Sequence, residues 1–218
     1  MRMVLEFEKS GAAKYISHLD LQRAFSRAIR RSGLPVSLSK GFNPHYVVSF
    51  ASALALGIES ECECVEMAMD KQISADEFLS AMKNALPPGL AAKRAAQLRE
   101  GAPKLAASVR EAEYSVFLGA EDLDNIKNAA CDIMGEDKVI VCKDGKESDI
   151  RRMIFALDFY GEVLVMRLAA APSGSLRPDI VIAQLKKRSR DFSCRIVRTR
   201  LMAGDDGRST GLFEAYKV

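Results

Sequence analysis

The side chains best suited to chemistry are concentrated in one stretch of the sequence, residues 14–45. The stretch contains both histidines of the chain, His18 and His45, and a single acid, Asp20. Its six basic residues are Lys14, Arg23, Arg27, Arg30, Arg31 and Lys40. Arginines on one helix with no acid four residues away repel one another mildly, and a phosphate backbone would relieve that repulsion. The stretch therefore predicts a nucleic-acid contact, with an ordinary solvated helix face as the alternative.

Residues 39–45, with the sequence SKGFNPH, predict a loop that completes this contact. Gly41 permits a positive φ or the close approach of a ligand to the backbone, and Lys40 with the neighbouring amides favours a small anion site. Phe42 would stack on a base or, alternatively, pack into the core of its own domain. We therefore assign nucleic-acid contact to the six basic residues and to Gly41, Phe42, Asn43 and His45.

The two histidines are the candidates for catalysis. As an acid and a base, His18 and His45 would support metal-independent cleavage of RNA. The plainer interpretation makes His18 a helix-start residue and His45 a strand-start residue. With Asp20 they would be metal ligands, but a metal site needs further ligands at a recognised spacing, and the sequence offers none. We therefore assign no firm catalytic residue and expect neither a metal nor a cofactor.

A capped amphipathic helix is predicted to position the arginines. Ser17 is the expected N-cap: its hydroxyl accepts from the Asp20 amide while the Asp20 carboxylate returns to the Ser17 amide. Gly33 is typical of the residue just beyond a helix end, and Pro35 blocks continuation. Between these limits an apolar stripe recurs at helical spacing, formed by Leu21, Ala24, Phe25, Ala28 and Ile29.

Composition indicates a globular protein in a reducing compartment. The 218 residues are 48% hydrophobic, and the net charge of +3 is too small to argue from. The sequence starts with a charged, strand-like segment, no apolar run is long enough to cross a bilayer, and the five cysteines are irregularly spaced. We therefore expect a cytoplasmic protein with reduced thiols and no membrane contact. Its charge is polarised, with an acidic segment at 59–77 and a second basic cluster at 186–200.

Hydrophobic periodicity predicts an α+β protein made of two tandem ferredoxin-like domains, each with the order βαββαβ and an antiparallel sheet. The first domain spans residues 1–100 and carries the basic helix and the GFNPH loop. Residues 101–112 form a linker, 113–203 the second domain, and 204–218 a flexible tail. Strands are expected at 35–39 and 46–50 in the first domain. In the second, a hairpin around 143–145 leads into a sheet strand at 149–155.

Several motifs run along the chain. They occupy residues 7–11, 17–23, 27–35, 39–44 and 60–63, with Phe50, Leu54 and Gly57 between them, and then residues 149–151 and 174–178. These motifs resemble those of the radical-SAM-linked bacterial domain of unknown function. The resemblance extends to about Met202, and its first-half motif is the longer and more specific one.

That resemblance implies an accessory role with RNA and a radical SAM protein as partners. Members of the family occur beside a radical SAM protein or fused to its C-terminus, near genes for ribonuclease G and ribosomal proteins. This chain has no CxxxCxxC run, so it does not itself hold the iron–sulfur cluster of such an enzyme. The leading hypothesis is an RNA-binding accessory protein in tRNA or rRNA processing or modification, without catalytic activity of its own.

Two alternatives stay open. One is an endoribonuclease-like enzyme that uses His18 and His45 as acid and base. The other is a docking module that meets a radical SAM partner through an apolar patch or through its acidic segment, at Glu61, Glu63 and Glu66.

Overall fold

In the computed structural model, residues 1–119, 123–143, 145–204 and 210–217 are described, and they form a mixed α+β protein. In chain order the elements are β1 (Arg2–Lys9), α1 (His18–Ser32), β2 (Val48–Phe50), β3 (Glu59–Ala68), α2 (Ala75–Ala85), β4 (Leu90–Gln97), α3 (Leu105–Ser108), β5 (Val109–Leu118), α4 (Leu123–Gly135), β6 (Ile140–Lys143), β7 (Lys146–Asp149), β8 (Ile154–Tyr160), β9 (Val163–Ala171), β10 (Gly174–Ser175), α5 (Pro178–Arg188), β11 (Cys194–Ala203), β12 (Thr210–Gly211) and α6 (Leu212–Tyr216). Short 3₁₀ helices precede α1, at Gly11–Tyr15, and β8, at Arg151–Met153.

The chain divides into two compact units. The first comprises Met1–Val109 together with Leu201–Val218, and the second comprises Arg110–Arg200. Residues 101–112, predicted to be a linker, contain α3 and the start of β5. The end of β11 and the residues after it belong to the first unit, although the sequence places 201–203 in the second domain and 204–218 in a tail.

The first unit has the element order strand, helix, strand, strand, helix, strand from β1 to β4. Its strands lie in the order β2–β3–β1–β4, and each neighbouring pair is antiparallel. Helices α1 and α2 bury their apolar faces against one side of this sheet. The predicted stripe of α1 forms part of the resulting core, together with Phe78 and Met82 of α2 and with Met3, Leu5, Phe7, Val65 and Met67 of the strands.

The predicted strand at 35–39 is replaced by two isolated bridges, Val36↔Met69 and Leu38↔Tyr46. The strand predicted at 46–50 is shorter and begins at Val48. Residue 35 is a proline and has no N–H to donate, but its carbonyl accepts from the Asp70 amide, and the Ser37 amide donates to the Ala68 carbonyl. This segment crosses beside the end of β3 and leads into the loop that precedes β2.

Both faces of β1 are buried, whereas alternation in the sequence suggests one covered face. All five residues from Met3 to Phe7 are buried, including the acid Glu6. Arg94 of β4 forms an ion pair with Glu6, and its guanidinium lies 4.3 Å from the centroid of the Phe213 ring in α6. The segment that ends the chain therefore belongs to the covering of the second face of the sheet.

Residues 210–217 contain β12 and α6 within this unit, where the sequence suggests a flexible tail; residues 205–209 and 218 lie outside the described residues. Arg94 forms a second ion pair with Glu214 of α6, at 2.5 Å. Burial is the largest single influence on the pKa of Glu214 and would raise it, but the hydrogen bond from Arg94, a backbone hydrogen bond and the charges of Arg94 and Lys217 together lower that pKa below its ordinary value. A bridge between Leu98 and Lys217 completes the attachment.

The second unit pairs β5 with β9 and β9 with β8, all antiparallel. The hairpin β6–β7 forms a separate two-stranded sheet. The prediction of one sheet strand at 149–155 is therefore wrong for residues 149–153, and the strand β8 begins only at Ile154. Asp149 ends the hairpin because its carboxylate accepts from the amides of Val139 and Arg151. The Arg151 guanidinium then donates to the carbonyls of Met134 and Ile154, which fixes a helical turn before β8.

Two glycines at positive φ allow a matched test of backbone crowding. Gly33 (φ 67°) and Gly89 (φ 84°) both adopt a conformation that favours glycine, but only a Cβ at Gly89 would meet close neighbours, at 2.8 Å from Ala13 Cβ and 2.9 Å from the Ser10 carbonyl oxygen. We expect Gly33→Ala to destabilise by about 1–2 kcal/mol, the usual cost of a left-handed residue with a side chain. Gly89→Ala should lower the free energy of unfolding, measured in urea, by clearly more than Gly33→Ala does. Equal costs would contradict the close packing of Gly89 on the 3₁₀ helix.

Candidate nucleic-acid interface

Helix α1 is fixed at both ends as its sequence predicts. The Ser17 hydroxyl accepts from the Asp20 amide at 3.1 Å, and Gly33 ends the helix in the left-handed conformation. The return contact differs from the expected capping box, because the Asp20 carboxylate accepts from the Ser17 hydroxyl at 2.8 Å and from Arg23 at 3.0 Å. One of the four arginines is thus committed to the helix's own cap.

Aromatic packing holds the helix against the sheet. Phe25 of α1 lies with its ring centroid 4.8 Å from that of Phe7 in β1 and 5.1 Å from that of Phe50 in β2. Phe50 also packs against the His18 ring at 5.4 Å. Both contacts of Phe50 are edge-on, a favoured geometry for aromatic pairs, and the contact of Phe25 with Phe7 is tilted. The contacts of Phe50 set the distance between α1 and the short strand β2.

A groove of about 550 Å³ lies between α1 and the segment that enters β2. Leu19, Gln22, Arg23, Ser26 and Arg27 line it from the helix, and His45, Tyr46, Val48 and Phe50 line it from the other side. Two of the nine lining residues are arginines and none is acidic. The groove therefore combines apolar residues, Val48 and Phe50, which we call its floor, with a rim that carries the positive charge of Arg23 and Arg27.

The predicted basic residues separate into paired and unpaired groups. Lys14 forms an ion pair with Glu59 at 3.2 Å, Arg23 forms one with Asp20 at 3.0 Å, and Arg31 donates to the Ala85 carbonyl. Within the described residues, Arg27, Arg30 and Lys40 have no ion pair, and all three are exposed. The uncommitted positive charge of this stretch is therefore carried by three of its six cations.

The loop from Ser39 to His45 closes on itself. The Ser39 amide donates to the His45 carbonyl at 2.7 Å, the His45 amide donates to the Ser39 hydroxyl at 3.1 Å, and that hydroxyl also lies 2.9 Å from His45 Nδ1. Gly41 adopts φ 134° at the tip. Phe42 is fully exposed, with no shielding from the fold, which excludes the alternative that it fills the core.

The two histidines occupy different settings. His45 lines the groove, whereas His18 does not, and the His18 ring is held by Phe50 and by a 3.2 Å hydrogen bond from the Gln22 amide. Within the described residues, the side-chain partners of both rings are neutral groups, Gln22 for His18 and Ser39 for His45. Among the described residues, neither ring is paired with a carboxylate of the kind that commonly orients a catalytic imidazole.

Metal ligands and reactive thiols are not brought together in the part of the chain that the structure describes. No group of three or more His, Cys, Asp or Glu residues there is placed to hold a metal ion. None of the five cysteines, all of which are described residues, is in a disulfide, and Cys62 and Cys64 are buried in β3. Burial, and then the nearby Glu6 charge, raise the pKa of the Cys64 thiol well above its ordinary value, so it is not a nucleophile at neutral pH.

The other charged segments are largely occupied by the fold. In the basic cluster at 186–200, Lys186 forms an ion pair with Asp191 and Arg188 forms one with Glu136, at 2.7 and 2.9 Å. In the acidic segment, Glu63 and Glu66 are buried. Of the three acids on which the acidic version of the docking hypothesis depends, only Glu61 is exposed.

The groove itself was not predicted from the distribution of charged residues in the sequence. Leu19, Gln22 and Ser26 lie on the face of α1 that also carries Arg23 and Arg27, at the three- and four-residue spacing that brings helix positions together. A search for a mixed apolar and basic helix face would have found them. Val48 and Phe50 could not be placed opposite without knowledge of the sheet.

Fold and site define a two-unit α+β protein with a positively rimmed groove on its first helix. Residues 2–178 match the bacterial family described as "Uncharacterized protein conserved in bacteria" (DUF2344), and the chain belongs to that family. None of the curated proteins matches the chain.

Among solved structures, a chain of the "Crystal Structure of a Cbf5-Nop10-Gar1 Complex" is similar, with a TM-score of 0.45 and 12% sequence identity. The match covers 91% of this chain and 48% of the other, so this chain spans about half the length of the solved chain. Among the described residues, no helix is long and apolar enough to cross a membrane.

The cap of α1 predicts a measurable pH dependence. The hydrogen bond from Ser17, and then that from Arg23, lower the pKa of Asp20 below its ordinary value of 3.8. Because the folded pKa is the lower one, the carboxylate stabilises the fold above the unfolded pKa, and that stability is lost as the pH falls through the folded pKa. In Ser17→Ala, an NMR titration should show the pKa of Asp20 moving back towards 3.8.

Ser74→Ala is the matched control, because Ser74 caps α2 by accepting from the Glu77 amide at 3.2 Å. It should lower the stability of the protein comparably while leaving the titration of Asp20 unchanged. A shift of the Asp20 pKa in Ser74→Ala, or none in Ser17→Ala, would contradict the assignment.

Proposed function

We propose that the protein is an RNA-binding accessory protein, acting in the processing or modification of tRNA or rRNA. The observation that carries the proposal is the grouping, in one unit, of exposed unpaired cations with an exposed aromatic ring and a basic groove. Arg27 and Arg30 supply phosphate contacts on α1, and Lys40 supplies one on the loop. Phe42 offers a stacking surface, the combination typical of proteins that bind unpaired nucleic acid.

The paired cations play a lesser part in this proposal. Lys14, Arg23 and Arg31 would first have to exchange a partner within the fold for a phosphate. Arg23 is the easiest to recruit, because its ion pair with Asp20 is exposed and such pairs contribute little. Gly41 and Asn43 contribute backbone and amide groups at the exposed tip of the loop.

Binding is favoured over catalysis by the settings of the histidines. An endoribonuclease would need two groups converging on one scissile phosphate, one to take a proton and one to give it. His45 faces the groove, but His18 packs its ring on Phe50 and does not line it. We therefore assign His45 to recognition and His18 to the packing of α1 against β2.

The partnership with a radical SAM protein remains part of the proposal through the family resemblance. The acidic segment is a poor docking surface because Glu66 accepts from the Leu105 amide and from Arg2 inside the fold. A partner would be expected to bind another surface, and the RNA itself is the simplest bridge between the two proteins.

We also propose that each unit is a variant of the split βαβ plan, with the hairpin β6–β7 inserted in the second unit.

Removing two of the unpaired arginines should weaken binding through phosphate contacts. In Arg27→Ala/Arg30→Ala, we expect the affinity for RNA to fall and the slope of log K against log salt to decrease in magnitude by about 2, or one per lost contact. Fluorescence anisotropy across a salt series measures both. The free energy of unfolding should change by less than about 0.5 kcal/mol because both side chains are exposed.

Lys127→Ala/Lys187→Ala is the control for net charge. It removes two positive charges from helices α4 and α5 of the second unit, and neither lysine lines the groove. Lys127 also loses its ion pair with Asp124, a local pair of a kind that contributes little to stability. The salt slope should stay as in the wild type. Equal losses in the two double variants would show that bulk charge and not this surface attracts RNA.

Phe42 should contribute by stacking and not by charge. We expect Phe42→Ala to lose about 1–3 kcal/mol of binding free energy towards single-stranded RNA, the range for one stacked base. The salt slope and the thermal stability should remain those of the wild type, since the ring is fully exposed. Phe42→Tyr keeps the ring and should bind normally. Full affinity in Phe42→Ala would remove the loop from the interface.

A further inference from the structure

The groove on α1 is concave and partly apolar. Neither property is needed for RNA to bind through exposed cations alone. We propose that the groove holds one unpaired nucleotide of the bound RNA, with the base on the Val48–Phe50 floor and a phosphate on Arg23 and Arg27. This inference rests on the proposed RNA binding and narrows it to single-stranded or locally unpaired RNA.

The size of the groove fits one residue of a nucleic acid, and a base can enter it only when it is not stacked in a duplex. The groove's volume of about 550 Å³ falls within the range of roughly 300–1,000 Å³ that is usual for small-ligand sites. In a duplex, the bases are stacked inside and present only their edges. A base that reaches Phe50 must therefore be unstacked, as in a loop, a bulge or a single strand.

The walls of the groove are differentiated in the way a nucleotide requires. Val48 and Phe50 are partly exposed and form the apolar floor, and Leu19, which is 55% exposed, stands at the rim. The flat surface of a base would cover this partly exposed apolar face and remove it from water. The polar edge of the base would meet Ser26 and His45, which offer hydroxyl and imidazole groups for hydrogen bonding.

The positive charge lies on one side only. Arg23 and Arg27 are four residues apart on α1, so their side chains are neighbours on the helix surface, and no acid lines the groove. A ligand must therefore join an apolar planar part to an anionic part. Arg27 has no ion pair within the described residues, and the row continues along α1 to Arg30. The RNA strand with a nucleotide in the groove would thus be the same RNA strand whose phosphates contact the exposed cations.

Filling the groove tests this directly. Ser26 is an exposed residue of α1 that lines the groove, so Ser26→Trp obstructs the floor without changing charge or removing an arginine. We expect Ser26→Trp to weaken binding of a single-stranded RNA oligonucleotide by about tenfold or more, the usual effect of losing one stacked base. Its affinity for a blunt RNA duplex of the same length should stay within about twofold of the wild type.

Ser80→Trp is the matched control, since Ser80 is an exposed serine of α2 that does not line the groove. The chain has no tryptophan of its own, so the emission of the new residue reports its surroundings and the integrity of the fold. It should be shifted to shorter wavelength in Ser26→Trp and not in Ser80→Trp. Ser80→Trp should bind both RNAs as the wild type does.

The remaining outcomes separate the two proposals. If neither RNA binds the wild type at low salt, the proposed function itself fails. If both bind but Ser26→Trp affects them equally or not at all, RNA binding stands and the nucleotide site is wrong. If a fluorescent Asp- and Glu-rich peptide binds and only its affinity falls in Ser26→Trp, the groove is a peptide site and the inference is overturned.

Discussion

The packing of Phe25 between Phe7 and Phe50 determines where the first helix stands, and the candidate site depends on that position. Phe7 and Phe25 are almost fully buried, so the contact between α1 and β1 is part of the core. Phe50 lies at the edge of the same cluster, partly exposed, and its remaining surface forms the floor of the groove. One aromatic cluster thus stabilises the unit and exposes an apolar surface beside the arginines.

This arrangement explains why the charge of α1 remains available while that of other segments does not. Lys186, Arg188 and Arg94 lie near carboxylates of their own unit and form ion pairs. On α1, the buried stripe faces the sheet and the arginines face solvent, where few acids are within reach. The small net charge of the chain hides this difference, because a basic face is masked in the sum by acids that the fold has buried or paired.

Local features of the sequence were predictable because they depend on neighbours along the chain. The cap at Ser17, the stripe from Leu21 to Ile29 and the left-handed Gly33 were all confirmed. Features that depend on distant residues were not. The ion pair of Lys14 with Glu59 joins residues 45 apart in sequence, and that of Arg94 with Glu214 joins residues 120 apart. No periodicity in either segment indicates such partners, which is why the end of the chain was predicted to be mobile.

The candidate site shows the same division. The cations and the loop could be named from the sequence, since their types and spacing are visible there, but not which of them the fold would occupy. The groove requires a helix face and a strand edge to be brought together, and that depends on the register of β2 on β3, in which Phe50 pairs with Val65. Because residues on a strand alternate between its two faces, a slip of one residue would turn Phe50 away from α1. Register, and not composition, is therefore what places an apolar surface beside the basic helix.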